Sequence, residues 1–205
     1  MLNNGLEFTD NEDEEAYEKQ ITINPFTRSI IHSKIRDIVK PNERLQKLIE
    51  KHDHGLTHGI HIRRGAYSKD AESIGHHGLD ENGNINKPYF VSDSGLEKFE
   101  DIIKQSDKKF FLASDSKELK NILKTKYPDK IVTLDHDISF TYEDDILKNY
   151  GIPEETIYAC YLDWFLLSKC KNLYVSAGNE DMCSLSTFGY SAGAYGNSDV
   201  YIILN

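Results

Sequence analysis

The amino-acid sequence predicts an α/β domain built on a Rossmann-like, doubly wound parallel sheet, and three observations carry that prediction. Short, wholly apolar runs such as Phe110-Phe111-Leu112-Ala113 recur along the chain, which is the composition of strands buried on both faces. Segments with apolar residues at helical spacing stand between them. The resulting order alternates strand and helix from the first strand to the last, as crossover units covered by helices on both faces require.

Taken in order, residues 1–24 carry little pattern. The run from Asp10 to Glu18 holds six acidic residues and no cation before Lys19, and reads as a flexible, solvated segment. Residues 25–205 form the expected domain. From Pro25 the chain reads as helical, with Ile30, Ile31, Ile35 and Ile38 in phase until Pro41 breaks the pattern. Asn42 is placed to cap a second helix bearing Leu45, Leu48 and Ile49 on one face. Thr57 to Arg63 is the first strand of the alternating series. Residues 66–92 are polar and glycine-bearing and read as a long loop. A helix is expected from about Gly95 to Gln105, a strand at Phe110–Ala113, a helix over 116–126 and a strand at Ile131–Leu134. The most apolar stretch, 155–170, reads as a helix, Leu173–Ser176 as a strand, 184–190 as a helix and Val200–Leu204 as the last strand.

Composition excludes several classes of function. The 205 residues carry a net charge of −10, and no basic block appears that could follow a nucleic-acid backbone. No apolar run approaches the length of a membrane span, and the acidic N-terminus has no secretory pattern. Cys160, Cys170 and Cys183 are odd in number and lie in largely apolar surroundings, as reduced thiols of a cytoplasmic or other reducing compartment would.

Four stretches could carry chemistry. Only five of the 24 cations are Arg, and two of them, Arg63 and Arg64, are adjacent where the first strand of the series ends. Open α/β sheets bind ligands outside the carboxyl ends of their strands. Arg makes bidentate contacts to phosphate or carboxylate that Lys does not reproduce. Strand alternation sends the two side chains to opposite faces, so one is expected to meet the ligand and the other to brace it or face solvent. Asp115 ends the second strand within Ser114-Asp115-Ser116, where a helix cap is the plain alternative. Asp163 interrupts the most apolar helix, and a carboxylate there needs a partner, either local backbone or the N–H groups of a ligand. Ser176 to Ser184 leads from a strand into a helix, where free backbone N–H groups can receive an anion. In a doubly wound sheet the first and fourth strands are neighbours, which brings the arginines and this helix start to one crevice. The histidines at 52, 54, 58 and 61, with His76-His77 later, fit no zinc spacing and read as loop and strand residues.

His61-Ile62-Arg63-Arg64-Gly65 resembles the HxRR(G/T)D motif of the GDP-fucose-dependent fucosyltransferases (α1,2-, α1,6- and protein O-fucosyltransferases). The segment FLASDSKELKNILKTKYP, from Phe111 to Pro128, is similar to the α1,6-fucosyltransferase sequence after the second motif, and LDWFLLSKCKNLYV, from Leu162 to Val175, resembles the third block. The three blocks occur in the family's order over roughly residues 40 to 190. The resemblance implies the C-terminal, GDP-sugar-binding half of a GT-B glycosyltransferase. It further implies inverting transfer of fucose from GDP-fucose to a glycan or protein hydroxyl, without a metal. By motif position Arg63 would hold the β-phosphate and stabilise the leaving group. His61 and Asp163 would contact the base and ribose, Asp115 matches the second-motif Asp, and Ser184 matches the Ser that touches the phosphates. Arg64 belongs to the same nucleotide-binding set.

The chain also departs from the family pattern. Ala66 stands where the family has Asp, with Asp70 close behind. Ser116 replaces the second Asp of an Asp-Asp pair, and Asn179 to Ser184 replace a Ser-rich loop. The family's N-terminal half, which helps form the acceptor side of the cleft, has no counterpart in these 205 residues. A non-catalytic nucleotide-binding module is the alternative these departures favour.

Overall fold

The computed structural model describes residues 6–8, 18–19, 21–23, 25–64, 91–136, 154–177 and 186–204. In chain order they form β1 (Leu6–Phe8), β2 (Glu18–Lys19), β3 (Ile21–Ile23), α1 (Pro25–Ile38), α2 (Glu43–His52), β4 (His58–Ile62), α3 (Asp93–Gln105), β5 (Phe110–Ser114) and α4 (Lys117–Lys126). These are followed by β6 (Ile131–Val132), α5 (Glu154–Ser168), β7 (Asn172–Ser176), α6 (Thr187–Gly196) and β8 (Asp199–Ile203). Six strands make one sheet in the order β2-β8-β7-β4-β5-β6, and β1 pairs with β3 in a separate antiparallel pair. The five strands from β4 onward are parallel, and β2 adds to β8 antiparallel at one edge. This is the Rossmann-like doubly wound order. The chain runs from β4 outward through β5 and β6, then crosses back to lay β7 on the other side of β4.

The strand side chains alternate between two cores. Phe111, Ala113, Leu173, Val175 and Ile202 face one side, where Leu45 and Ile49 of α2, the apolar face of α5, and Ala192 and Tyr195 of α6 cover them. Ile60, Ile62, Phe110, Leu112 and Ile131 face the other, against Phe99 and Ile103 of α3 and Leu119 and Leu123 of α4. Helix starts are where the chemistry of capping puts them. Asn42 Oδ1 accepts from the Leu45 N–H at 2.9 Å, and Ser92 Oγ accepts from the Gly95 N–H at 3.0 Å. Among the described residues no helix is long and apolar enough to cross a membrane.

Three sequence expectations shift. The strand expected over Ile131–Leu134 pairs only at Ile131 and Val132. The first 24 residues, read as patternless, include three short strands, because β2 joins the sheet through backbone pairing that leaves no apolar signature. The last helix starts at Thr187 and runs to Gly196, so it begins three residues later and ends six residues later than its composition suggests. Gly189, Gly193 and Gly196 weaken helix propensity there, but they let α6 lie close on its neighbours. A Cβ at Gly193 would stand 2.4 Å from Val200 Cγ2, and one at Gly196 would stand 1.9 Å from the Ser168 carbonyl oxygen. A backbone oxygen cannot swing away as a side chain can. Gly196→Ala is expected to lower the unfolding free energy by about 1–3 kcal/mol, as overpacking does. Urea unfolding followed by circular dichroism measures it.

Candidate functional site

The carboxyl ends of β4 and β5 and the start of α6 meet at the point where the strand order reverses. The sheet ladder stops there: β4 last pairs with β7 at His61–Val175 and with β5 at Ile62–Ser114. Side chains then take over the role of the ladder. The Arg63 backbone N–H donates to Ser176 Oγ at 3.0 Å, and the Arg64 N–H donates to Asp115 Oδ1 at 2.7 Å. The strand end is held from both neighbours, and the two arginines leave it in defined directions.

The Arg64 side chain is buried. Its guanidinium donates to the Val91 carbonyl at 2.6 Å and pairs with the Asp93 carboxylate. The Val91 N–H in turn donates to the Arg63 carbonyl at 2.8 Å. Arg64 therefore fastens the start of α3 to the end of β4, the bracing role that alternation predicts for one member of the pair. Arg64→Met removes a charged donor from the carbonyl of buried Val91 and from the exposed Asp93 carboxylate, and is expected to cost about 1–3 kcal/mol of stability in urea unfolding.

Arg63 lines a cleft of about 230 Å³ together with His61, Ala113, Ser114, Asp115, Cys160, Ser186 and Phe188. His61 points to the face covered by α6. Its ring lies 5.1 Å from that of Phe188, tilted by 32°. The approach is close because residue 189 has no side chain: a Cβ there would stand 3.0 Å from His61 Cβ. Burial, assisted by the charge of Arg63, pushes the His61 pKa down to about 3, so the ring is neutral at physiological pH. Its Nδ1 is buried and has no hydrogen-bond partner among the described residues. Ser186 occupies the N-cap position of α6, is 1% exposed, and makes no side-chain cap bond, leaving its Oγ unpaired as well. Two buried polar atoms without partners, a guanidinium and a helix N-terminus thus converge on one cavity. Such a site suits an anionic ligand with further polar groups to satisfy.

Asp163 lies one helical turn from Cys160 on α5 and is 1% exposed. Burial raises its pKa, against the opposing pull of His136 and Lys120. His136 Nε2 comes within 3.1 Å of Asp163 Oδ1, yet the alignment is poor, and neither carboxylate oxygen has a hydrogen-bond partner among the described residues. Burial also raises the Cys160 thiol to about 11 and the Cys170 thiol to about 12, so both stay protonated, and neither is in a disulfide.

Of the sequence-predicted residues, the fold brings His61, Arg63 and Asp115 into the cleft, buries Asp163 on α5 outside the residues that line it, and turns Arg64 toward Val91. Asp115 is no helix cap; Ser116 caps α4 instead, accepting from the Leu119 N–H at 3.2 Å. Ser184, Cys183 and Ala66 lie outside the described residues. Sequence reading missed Ser186 and Phe188, which an earlier start for the last helix had placed inside it. The signal available was Ser186 itself, a capping residue ahead of a small-residue helix. Among the described residues no three His, Cys, Asp or Glu side chains gather as a metal-ligand set. Alternation on β4 sends His58 toward Phe110 and His61 toward Phe188.

No protein-family model matches the chain, and no curated protein matches it in sequence. Among solved structures the chain is similar to NodZ alpha-1,6-fucosyltransferase co-crystallised with GDP, at 17% identity and a TM-score of 0.36. The match covers 78% of this chain and 40% of that one, so this chain spans well under two thirds of that protein's length.

Proposed function

We propose that this chain is a GDP-sugar-binding, fucosyltransferase-like domain that transfers fucose from GDP-fucose, with inversion, to a glycan or protein hydroxyl. One observation carries the reading. Arg63 lines a cleft at the strand-order reversal, beside the N-terminus of α6 and polar atoms of His61 and Ser186 that have no partner among the described residues. The motif resemblance of the strand that bears Arg63 supports it.

In this reading the diphosphate sits between Arg63 and the start of α6. Charge grows on the β-phosphate as the bond from the anomeric carbon to the phosphate oxygen breaks. A fixed guanidinium and backbone N–H groups are worth most where charge develops, and they need no reorganisation. Ser186 Oγ and, beyond the described residues, Ser184 supply further donors. The neutral His61 ring offers Nδ1 to the ribose or base, and the unpaired carboxylate oxygens of Asp163 accept from base N–H groups. The acceptor hydroxyl attacks the anomeric carbon from the face opposite the departing GDP. Arg63 and the helix N-terminus take the charge-neutralising role for which other glycosyltransferases use a metal. Ala66, in place of the family's Asp, favours a second reading in which the domain binds the nucleotide without turnover.

Calorimetric titration with GDP, with UDP and GMP as controls, tests the binding claim. Selective uptake of GDP is expected. Release of GDP and a glycosylated product from GDP-fucose then separates the transferase from the non-catalytic module. Absence of binding to all three nucleotides overturns both readings.

A further inference from the structure

One buried polar group has a geometry that the proposed function leaves unexplained. Lys120 stands on α4, among leucines that face the core, and is 2% exposed. Lysines are almost never buried to this degree unless their charge is met. Lys120 Nζ donates to the His136 carbonyl at 2.6 Å and to the Leu134 carbonyl at 3.2 Å. Both carbonyls belong to the segment that follows β6. The imidazole of the same His136 brings Nε2 to 3.1 Å from Asp163 Oδ1, on α5. A chain of contacts therefore runs from the ammonium, through the His136 backbone and ring, to the buried carboxylate. It joins elements that pack on opposite faces of the sheet.

We propose that Lys120 and His136 are positioning residues that hold Asp163 as an ionised, oriented acceptor for the N–H groups of a nucleotide base. This rests on the nucleotide-binding reading given above. The physical requirement is plain. A carboxylate this deep tends to take up a proton, and a protonated carboxyl offers a donor where the base needs an acceptor. Among the described residues the groups facing Asp163 are His136 from the segment after β6, Lys120 from α4 and the Cys160 thiol on its own helix, with His52 of α2 facing His136 in turn. Of these, Lys120 and His136 both favour the charged form of Asp163, against the burial that disfavours it. Lys120 acts twice, as the cation that offsets the carboxylate and as the anchor that fixes where His136 stands. The His136 Nε2–H, once the ring turns into line, donates to one carboxylate oxygen and leaves the other for the ligand.

Two measurements test the proposal. The first is GDP affinity at about pH 6 and about pH 8.5 for the native chain, Lys120→Met, His136→Leu and His136→Gln. Lys120→Met is expected to bind about ten-fold more weakly at the lower pH and to recover much of the loss at the higher, as the carboxyl gives up its proton. His136→Leu should also lose about ten-fold, whereas His136→Gln, which keeps an N–H donor, should stay within about three-fold of native. The second needs no nucleotide. Infrared difference spectra against Asp163→Asn should reveal a protonated carboxyl in Lys120→Met near neutral pH that is absent from the native chain. Native affinity in both Lys120→Met and His136→Leu overturns the proposal. So does an equal loss at both pH values, which marks a merely structural role, or a carboxylate that stays ionised without Lys120. If the native chain binds no GDP, the nucleotide reading fails, and the infrared comparison still decides whether Lys120 controls Asp163. If Lys120→Met does not fold, the His136 pair decides.

Discussion

Arg63→Lys will bind GDP about ten- to one-hundred-fold more weakly than the native chain, a loss of about 1–3 kcal/mol, while its unfolding midpoint changes little. The charge survives the substitution, so a uniform electrostatic attraction would predict little change. The planar fork is lost, and with it the ability to donate two parallel hydrogen bonds to a phosphate. Stability should change little because the Arg63 backbone makes contacts that any side chain at this position leaves in place. The Arg63 N–H reaches Ser176 Oγ and its carbonyl receives the Val91 N–H, whatever side chain the residue carries. Titration calorimetry on both chains, paired with urea unfolding, reads the two quantities separately. Equal affinities would remove Arg63 from the phosphate site.

His61→Gln will remove much of the acid sensitivity of the fold between about pH 6.5 and pH 3. In the folded chain burial holds the His61 pKa down at about 3, against 6.5 for an exposed histidine. Within that window the unfolded chain binds a proton that the folded chain refuses, so stability falls as the pH falls. The contribution is whole above about pH 6.5 and drains by about 1.4 kcal/mol for each pH unit below it, reaching a few kcal/mol. Glutamine cannot titrate, so this slope should vanish from the variant while that of the carboxylates persists in both chains. Urea midpoints at about pH 7.5, 5.5 and 4.5 test it, and parallel curves for the two chains would mean that His61 is not the group responsible. The same burial that makes the ring acid-sensitive keeps it neutral, with a nitrogen that has no partner among the described residues.

The strand ends were the most legible part of the site. Apolar runs locate the strands, the order of elements makes the first and fourth strands of the parallel series neighbours, and alternation separates Arg63 from Arg64. Each of these follows from a period-2 backbone and a buried sheet. The start of α6 was harder to place. Gly189, Gly193 and Gly196 are poor helix formers, chosen for how closely they let the helix lie on Val175, Val200 and the Ser168 carbonyl, and that benefit is invisible without the partner elements. Misplacing that start hid Ser186 and Phe188. Lys120 was illegible for a different reason. It sits in an ordinary amphipathic pattern beside Leu119 and Leu123, where a lysine reads as solvated. Its burial depends on carbonyls fourteen and sixteen residues further on. The pairing of Glu18 and Lys19 with β8 is made by main-chain groups, which every sequence possesses.

The clasp that Arg64 makes with Val91 and Asp93, together with the Val91–Arg63 backbone bond, means that the chain leaves β4 and re-enters α3 at one fixed spot. β4 is an interior strand of the sheet, flanked by β7 and β5. A pull on α3 is thereby passed straight to that strand, so under mechanical load helix and strand move as one body.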